Sequence, residues 1–184
     1  MTVILHAEPT ASAPALWLRP WRPDDADALL AAHRDPLLRH RLTTPLATGA
    51  QARRWIDAQS AGWETGSRFS FAVLGHDAGT PIGHVVVKVT GLEDPSCSST
   101  AEVGYWTSAG VRGRGVAGRA LETVSRWALG SQRIVPLVRL DLLHAVDNHA
   151  SCRVADKCGY VLQSVLPAQP PVFPHEGHLH VRAA

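Results

Sequence analysis

Apolar residues recur along this chain at two spacings, and the dominant spacing changes near residue 66. Residues 16–19 read as a short strand that Pro20 stops. Asp24 is placed to cap a helix over 24–34, in which Ala26, Leu29, Leu30 and His33 share one face. A second helical pattern covers 47–60, with Ala52, Trp55, Ile56 and Gln59 in one stripe; Gly62 and Gly66 punctuate its end. Then the period shortens to that of strands. Residues 69–74 and 83–89 flank a turn at 76–81 and predict a hairpin. A polar loop over 90–100 leads to a strand at 101–107. A glycine-rich break follows, then a helix over 116–130 with Val116, Ala120, Val124 and Trp127 on one stripe. Residues 137–143 form another strand, and Asp147 or Asn148 caps a helix over 149–158 that Gly159 ends. A strand at 160–166, a proline-rich loop at 167–174 and a strand at 178–183 complete the pattern.

The predicted order is β-α-α-β-β-β-α-β-α-β-β. Hairpins mixed with βαβ connections predict an α/β fold, a mixed sheet with helices on both faces. Residues 1–15 read as a flexible N-terminal arm and 16–184 as a single domain. Composition narrows the class. Of 184 residues, 45% are hydrophobic and 18% charged, which excludes a disordered chain or a coiled coil. Lys+Arg 18 against Asp+Glu 16 leaves a net charge of +2. With no basic tail or arm, a nucleic-acid partner is not expected. No apolar run reaches the roughly 20 residues of a membrane span, and the N-terminus lacks a basic signal-peptide region, so no membrane partner is expected either. Three cysteines, Cys97, Cys152 and Cys158, have no CxxC spacing. A cytoplasmic protein with reduced thiols is the reading.

The most informative segment is Val111 to Gly118, between a strand and a strong helix. Glycines there allow close backbone approach, and the first N–H groups of the helix point outward, which suits a phosphate. A Walker loop fails because Val116-Ala117 stand where Lys-Ser/Thr belong. Gly113-x-Gly115-x-x-Gly118 matches the dinucleotide fingerprint, but about 110 residues precede it, where a first strand should. A third template, Arg/Gln-x-x-Gly-x-Gly/Ala, fits Arg112, Gly115 and Ala117. A plain tight turn is the alternative for these glycines.

Four segments in order, LRPW, AEVGYW, RGRGVAGRAL and NHASCRVADKCGY, give the chain a resemblance to the GCN5-related N-acetyltransferases, in their RimJ/RimL-like branch, over residues 16–183. The resemblance implies a largely antiparallel sheet of about seven strands, splayed between the fourth and fifth, with acetyl-CoA as co-substrate in the split. It implies coenzyme contacts at Trp106, Thr107, Arg112, Gly113, Arg114, Gly115, Val116, Ala117, Asn148 and Ser151. The pyrophosphate would take backbone N–H groups from Arg112 to Ala117. A bulge in the fourth strand would turn a backbone N–H near Trp106 to Ser108 towards the thioester. The acceptor would be an amine, a peptide N-terminus or a small molecule, and a homodimer is compatible with the family.

Amide formation from a thioester needs a neutral amine, a donor to the oxyanion and stabilisation of the leaving thiolate. Glu102 is the candidate base, directly or through water. It alternates with Gly104 and Trp106 on one strand face, and the resemblance puts a Glu there; a structural Glu paired with an Arg on a neighbouring strand is the other reading. Many relatives carry a Tyr seven residues after the Asn opening the later helix. Here that position is Ala155, a departure from the pattern. Ser151 matches Asn-x-x-Ser and would stand near the sulfur, as an acid or an orienting group, unless it only bonds the backbone of its own helix. Asn148 would reach the pantetheine amides or cap the helix. Cys152 with His149 reads as a packed thiol rather than a nucleophilic pair, and Cys158 as core. His178 and His180 share a strand face, but with HExxH failing at Leu179 they read as a cleft-lining or solvated pair, and no metal site is assigned. Trp17, Trp21, Trp55, Trp63 and Trp127 read mostly as core, and Trp55 and Trp63 could also line an acceptor pocket. Two other functions compete: a nicotinamide-dinucleotide oxidoreductase, and a catalytically silent acyl-CoA-binding module.

Overall fold

A computed structural model describes residues 3–90, 99–171 and 173–184. Cys97 and most of the polar loop expected at 90–100 lie outside these. The strands are β1 (Leu5–Ala7), β2 (Leu16–Pro20), β3 (Arg68–Leu74), β4 (Pro81–Thr90), β5 (Ser99–Thr107), β6 (Leu137–Ala145), β7 (Val161–Leu166) and β8 (Gly177–Ala183). The helices are α1 (Ala26–Ala32), α2 (Pro36–Arg41), α3 (Gly49–Thr65), α4 (Val116–Arg126) and α5 (His149–Lys157). All eight strands join one sheet in the order β1-β2-β3-β4-β5-β6-β8-β7.

Among the described residues, β5 and β6 are the one parallel pair of strands; every other pairing is antiparallel. A parallel pair needs a crossover, and α4 is that crossover. A nicotinamide-dinucleotide fold needs a parallel sheet built around its glycine loop, so this strand order removes the oxidoreductase reading.

Alternation along the strands buries both faces. On one face, Phe69, Phe71, Val85, Val87, Ala101, Val103, Leu140 and Leu142 pack with Val116, Ala120, Leu121 and Val124 of α4 and Ala155 of α5. On the other, Ala72, Leu74 and Trp106 pack with Leu29 of α1, Leu38 of α2 and Ala52 and Ile56 of α3. Helices therefore cover both faces, as the nearly continuous buried runs of β3 and β4 require.

The N-terminal arm departs from its expectation. Leu5–Ala7 pairs with Leu16–Leu18, adding an eighth strand. Arg119 of α4 fixes this segment by donating to the carbonyls of Pro14 at 2.7 Å and Glu8 at 2.7 Å. The first helical region also differs. Asp24 does not cap it; a 3-10 turn covers Pro23–Asp25, and Asp25 accepts from the Arg22 N–H at 2.8 Å while buried against Arg19 at 2.7 Å. A separate six-residue helix, α2, follows, capped by Asp35 through the Leu37 N–H at 3.0 Å. α3 opens with a reciprocal Thr48/Gln51 capping box and runs past Gly62 to Gly66, whose φ of 69° ends it. Gly62 packs instead of punctuating: a Cβ there would lie 2.8 Å from Arg68 Cβ. Among the tryptophans, Trp21 and Trp127 are buried, but Trp17 is 37% exposed and lies against His6.

Candidate active site

β5 and β6 pair only from Ser99/Leu137 to Val103/Leu142. Both strands then continue, to Thr107 and Ala145, without pairing to each other. Over Gly104–Thr107 the backbone edge of β5 that faced β6 therefore borders a gap. The resemblance implied that a bulge opens this gap. No bulge lies near Trp106 to Ser108: the β4–β5 register is continuous from Gly83/Thr107 to Thr90/Thr100, and the register shift of β5 against β6 falls at Ser99/Thr100, at the other end of the strand.

A cavity of about 1080 Å³ occupies the opening. The end of β5 contributes Tyr105, Trp106 and Thr107, and α5 contributes Asn148, Ser151 and Val154. The glycine loop contributes Arg112, Gly113, Gly115, Val116 and Ala117. Arg114 and Glu102 are not among the lining residues.

The loop holds its shape through two glycines. Gly113 has φ 75° and Gly115, the residue before α4, has φ 74°, where a side chain is strained. No atom lies within 4 Å of a Cβ at either position, so conformation, not crowding, calls for glycine. The N–H groups expected to hold a phosphate are only partly free. Arg112 N–H donates to Ala109 O at 3.3 Å and Arg114 N–H to Val111 O at 3.4 Å. Val116, Ala117 and Gly118 open α4, where an α-helix leaves its first N–H groups without partners and concentrates its positive dipole end. Arg126, Arg153 and Lys157 also line the cavity and add positive charge on the flanking helices. These three carry no glycine-loop signature, which is why the sequence did not single them out.

The Arg112 side chain turns away from the anion position to pair with Asp35. Burial pulls the Asp35 carboxyl upward, but the Arg112 guanidinium and the Leu37 and Leu38 N–H groups hold it below the usual carboxylate range. Arg112 thus ties the coenzyme loop to the start of α2, and α2 places Leu37, Leu38 and Arg41 on the cavity wall.

The chain matches the Acetyltransferase (GNAT) domain family over residues 15–161. It belongs to that family of acetyltransferases. No curated protein matches it. Among solved structures, a GNAT-family acetyltransferase from Bacillus anthracis superposes with TM-score 0.80 at 16% identity, covering 98% of each chain. RimJ from Mycobacterium smegmatis, solved with a CoA disulfide, gives TM-score 0.80 at 19% identity over 100% of this chain and 87% of that one. RimL, a ribosomal L7/L12 alpha-N-protein acetyltransferase solved with coenzyme A, gives 0.79 at 16% identity over 97% of each. These likenesses concern the fold.

Within this acetyltransferase, the residues singled out for chemistry separate. Ser151 stands on the cavity wall in the first turn of α5. Asn148 caps that turn, its side-chain oxygen accepting from the Ser151 N–H at 3.3 Å, which leaves its NH2 group to donate. Tyr105 also lines the cavity, and the sequence reading passed over it. Burial pushes its hydroxyl up to about 12, opposed by the neighbouring Ser151 hydroxyl. The contact is looser than a formed bond, since the Tyr105 Oη has no partner at hydrogen-bond geometry among the described residues. The signal was available: AEVGYW puts Tyr105 one residue out of phase with Glu102, Gly104 and Trp106, hence on the face towards α5.

Glu102 lies at the closed end of β5. Lys88, its partner across the β4–β5 ladder, donates to its carboxylate at 2.5 Å. The carboxylate side chain is 39% exposed. The oxyanion donor is narrowed as well: the Ser108 N–H is bound to Ile82 O at 2.9 Å, and Trp106, two residues before it and opposite His84, turns its peptide groups to β4 in the same phase, which leaves the Thr107 N–H on the open edge.

The other expectations shift with packing. Trp55 sits edge-on to Trp21 and His84, and Trp63 packs against Phe69, Phe71 and Trp127; neither lines the cavity. Cys152 faces His178, at 3.3 Å, rather than His149. His178 and His180 are neither cleft-lining nor solvated as a pair: His180 is 2% exposed beneath α5. Cys158 donates to Gly118 O at 3.2 Å, and burial pushes its thiol up to about 11, fitting an inert core position.

Proposed function

We propose that this acetyltransferase is acetyl-CoA-dependent and moves the acetyl group to a primary amine by direct attack, with no acyl-enzyme. One observation carries the reading: β5 and β6 stop pairing at Val103/Leu142 just where the glycine loop and the N-terminus of α4 border a cavity. The pyrophosphate sits on the N–H groups of Gly113, Gly115, Val116 and Ala117, and the pantetheine arm runs into the split past Asn148. The thioester carbonyl takes a hydrogen bond from the β5 edge at the Thr107 N–H. The amine nitrogen adds to that carbonyl carbon, the C–S bond breaks, and the sulfur leaves beside Ser151 and Tyr105.

In this reading the two hydroxyls replace the tyrosine whose family position is Ala155. The Ser151 hydroxyl hydrogen-bonds the departing sulfur, and Tyr105 supports Ser151 from behind. The amine proton leaves through water, with Glu102 as a remote base. Gly104, between Glu102 and Trp106 on that face, has no side chain to block the way. The acceptor is a peptide N-terminus or a small-molecule amine; likeness to RimL and RimJ supports trying peptides first. The test is turnover of acetyl-CoA with peptides of different first residues and with small amines. Release of CoA that depends on the amine is expected. Tight coenzyme binding with no turnover on any amine favours the silent binding module.

A further inference from the structure

We propose that His144, Cys152, His178 and His180 form a site for a tetrahedral, zinc-class divalent metal ion behind the coenzyme cleft. Sequence spacing joins only His178 and His180. The fold adds the others. In the β6–β8 ladder His144 is paired with His178 and Leu142 with His180, so all three imidazoles lie on the face that α5 covers. α5 lowers Cys152 onto them.

One ligand atom from each of the four residues can be chosen so that all lie within 4.8 Å of one another. A tetrahedral zinc ion sets nitrogen and sulfur ligands roughly 3.3–3.6 Å apart, given Zn–N near 2.0 and Zn–S near 2.3 Å. Cys152 Sγ and His178 Nδ1 are already 3.3 Å apart. Closing the rest takes about an ångström of side-chain rotation.

The unpaired nitrogens point to a missing ligand independently. His180 is 2% exposed, and both of its ring nitrogens lack a hydrogen-bond partner among the described residues. His144 Nε2 is buried without a partner too. Buried polar atoms in native proteins are almost always satisfied, so three in one cluster need an explanation. His144 Nδ1 lies 3.0 Å from the Ala145 carbonyl, to which its N–H donates; that fixes the tautomer with the Nε2 lone pair free.

The donor set chooses the metal. Three imidazoles and one thiolate suit zinc and disfavour magnesium or calcium, which take oxygen. Four protein ligands fill a tetrahedron, so the site is structural rather than catalytic. Cys152 is not a cleft residue, whereas Ser151 and Arg153 beside it are, so the ion would brace the back of the helix that forms one cleft wall. Binding exchanges the Cys152 thiol proton for the metal–sulfur bond and releases that proton to solvent. None of this depends on acetyl transfer.

The experiment uses the full chain, stripped with a chelator and titrated with Co²⁺ and then Zn²⁺. One equivalent of Co²⁺ should bind with the visible bands of a tetrahedral ion and a near-ultraviolet sulfur-to-cobalt absorption, and one equivalent of Zn²⁺ should displace it. Zn²⁺ at about a hundred times its Kd should raise Tm by roughly 5–10 °C. Cys152→Ser should abolish the sulfur-to-cobalt absorption. Both Cys152→Ser and His178→Gln should weaken binding at least about tenfold, since even supporting residues around a metal are worth that much. If Cys152→Ser does not fold, His178→Gln, at a half-buried position, carries the test alone. Failure of the native chain to bind one equivalent, or unchanged affinity in the folded variants, overturns the proposal.

Discussion

The two ends of β5 make the sharpest contrast in the molecule. From Ser99 to Val103 the strand is paired on both sides, to β4 and to β6. There its side chains do ordinary sheet work: Ala101 and Val103 fill the core, and Glu102 pairs with Lys88. From Gly104 to Thr107 the same strand keeps β4 but loses β6, and Tyr105, Trp106 and Thr107 become the wall of a cavity. Only a few residues separate the two regimes. What changes is whether the backbone edge is satisfied by a neighbouring strand or left open to a ligand. Chemistry should therefore be concentrated at the open end, and substitutions along β5 and its loop should fall off in effect towards the closed end.

The largest effect is expected beyond the open end, at Gly115. Valine there must adopt a φ near 74°, which costs a β-branched residue roughly 1–3 kcal/mol. The loop will relax and lose its N–H alignment, so the coenzyme KM should rise about 10- to 100-fold while the far-UV spectrum is kept. Coenzyme affinity unchanged in a folded variant would reduce the loop to a turn.

Next comes acid sensitivity around Trp106. His84 stands opposite it across the β4–β5 ladder and accepts a hydrogen bond from Trp21 Nε1 at 3.0 Å. Burial pushes His84 down to about 3, far below its ordinary value of 6.5. Between those two values the unfolded chain binds a proton that the native protein refuses. Stability is thus intact above about 6.5 and is lost as pH falls towards about 3. Burial lowers His33 as well, and it adds to the same trend. His84→Gln should flatten the fall of Tm with decreasing pH; an unaltered slope would assign it to other groups.

Tyr105→Phe deletes one hydroxyl behind Ser151. If the two serve the leaving sulfur, kcat should fall about tenfold, at the upper end for one hydrogen bond, with the coenzyme KM little changed. A rise in KM with kcat intact would make Tyr105 a binding residue only.

The elements that were legible in the sequence are those long enough to show a period. β3, β4, β5 and β6 run for 7 to 10 residues each, as apolar runs or alternations, and fall within about two residues of their expected positions. β1 and α2, with 3 and 6 residues, are too short to repeat anything and were missed. The glycine loop was readable because its chemistry is local: a strand end, two glycines and a helix start. The Arg112–Asp35 tie and the His144/Cys152/His178/His180 cluster were not. Each joins residues far apart in the chain, and only strand register and helix packing bring them together. Glu102 shows the opposite limit. Its alternation with Gly104 and Trp106 was visible, but where β6 stops pairing was not, and that boundary separates it from the cavity.

The smallest effect is expected at the closed end, at Glu102 itself. Its pair with Lys88 is a little over a third exposed on both sides, so solvent screens it and it contributes about 0–1 kcal/mol. Glu102→Gln should lower Tm by no more than about 2–4 °C in a chain of this size. A positioned base touching the amine would be worth 10²- to 10⁴-fold; a carboxylate acting through water past Gly104 should be worth about threefold in kcat. That loss should shrink as pH rises, because more of the amine is then already neutral. Lys88→Met serves as the comparison, since it breaks the same ion pair but leaves the carboxylate. If Glu102 is a remote base, kcat/KM against pH changes shape only in Glu102→Gln. If the carboxylate only ties β4 to β5, both variants lose the same small increment of Tm and keep the native pH profile. The whole of β5 before Gly104 is then scaffold, and the contrast between its two ends is complete.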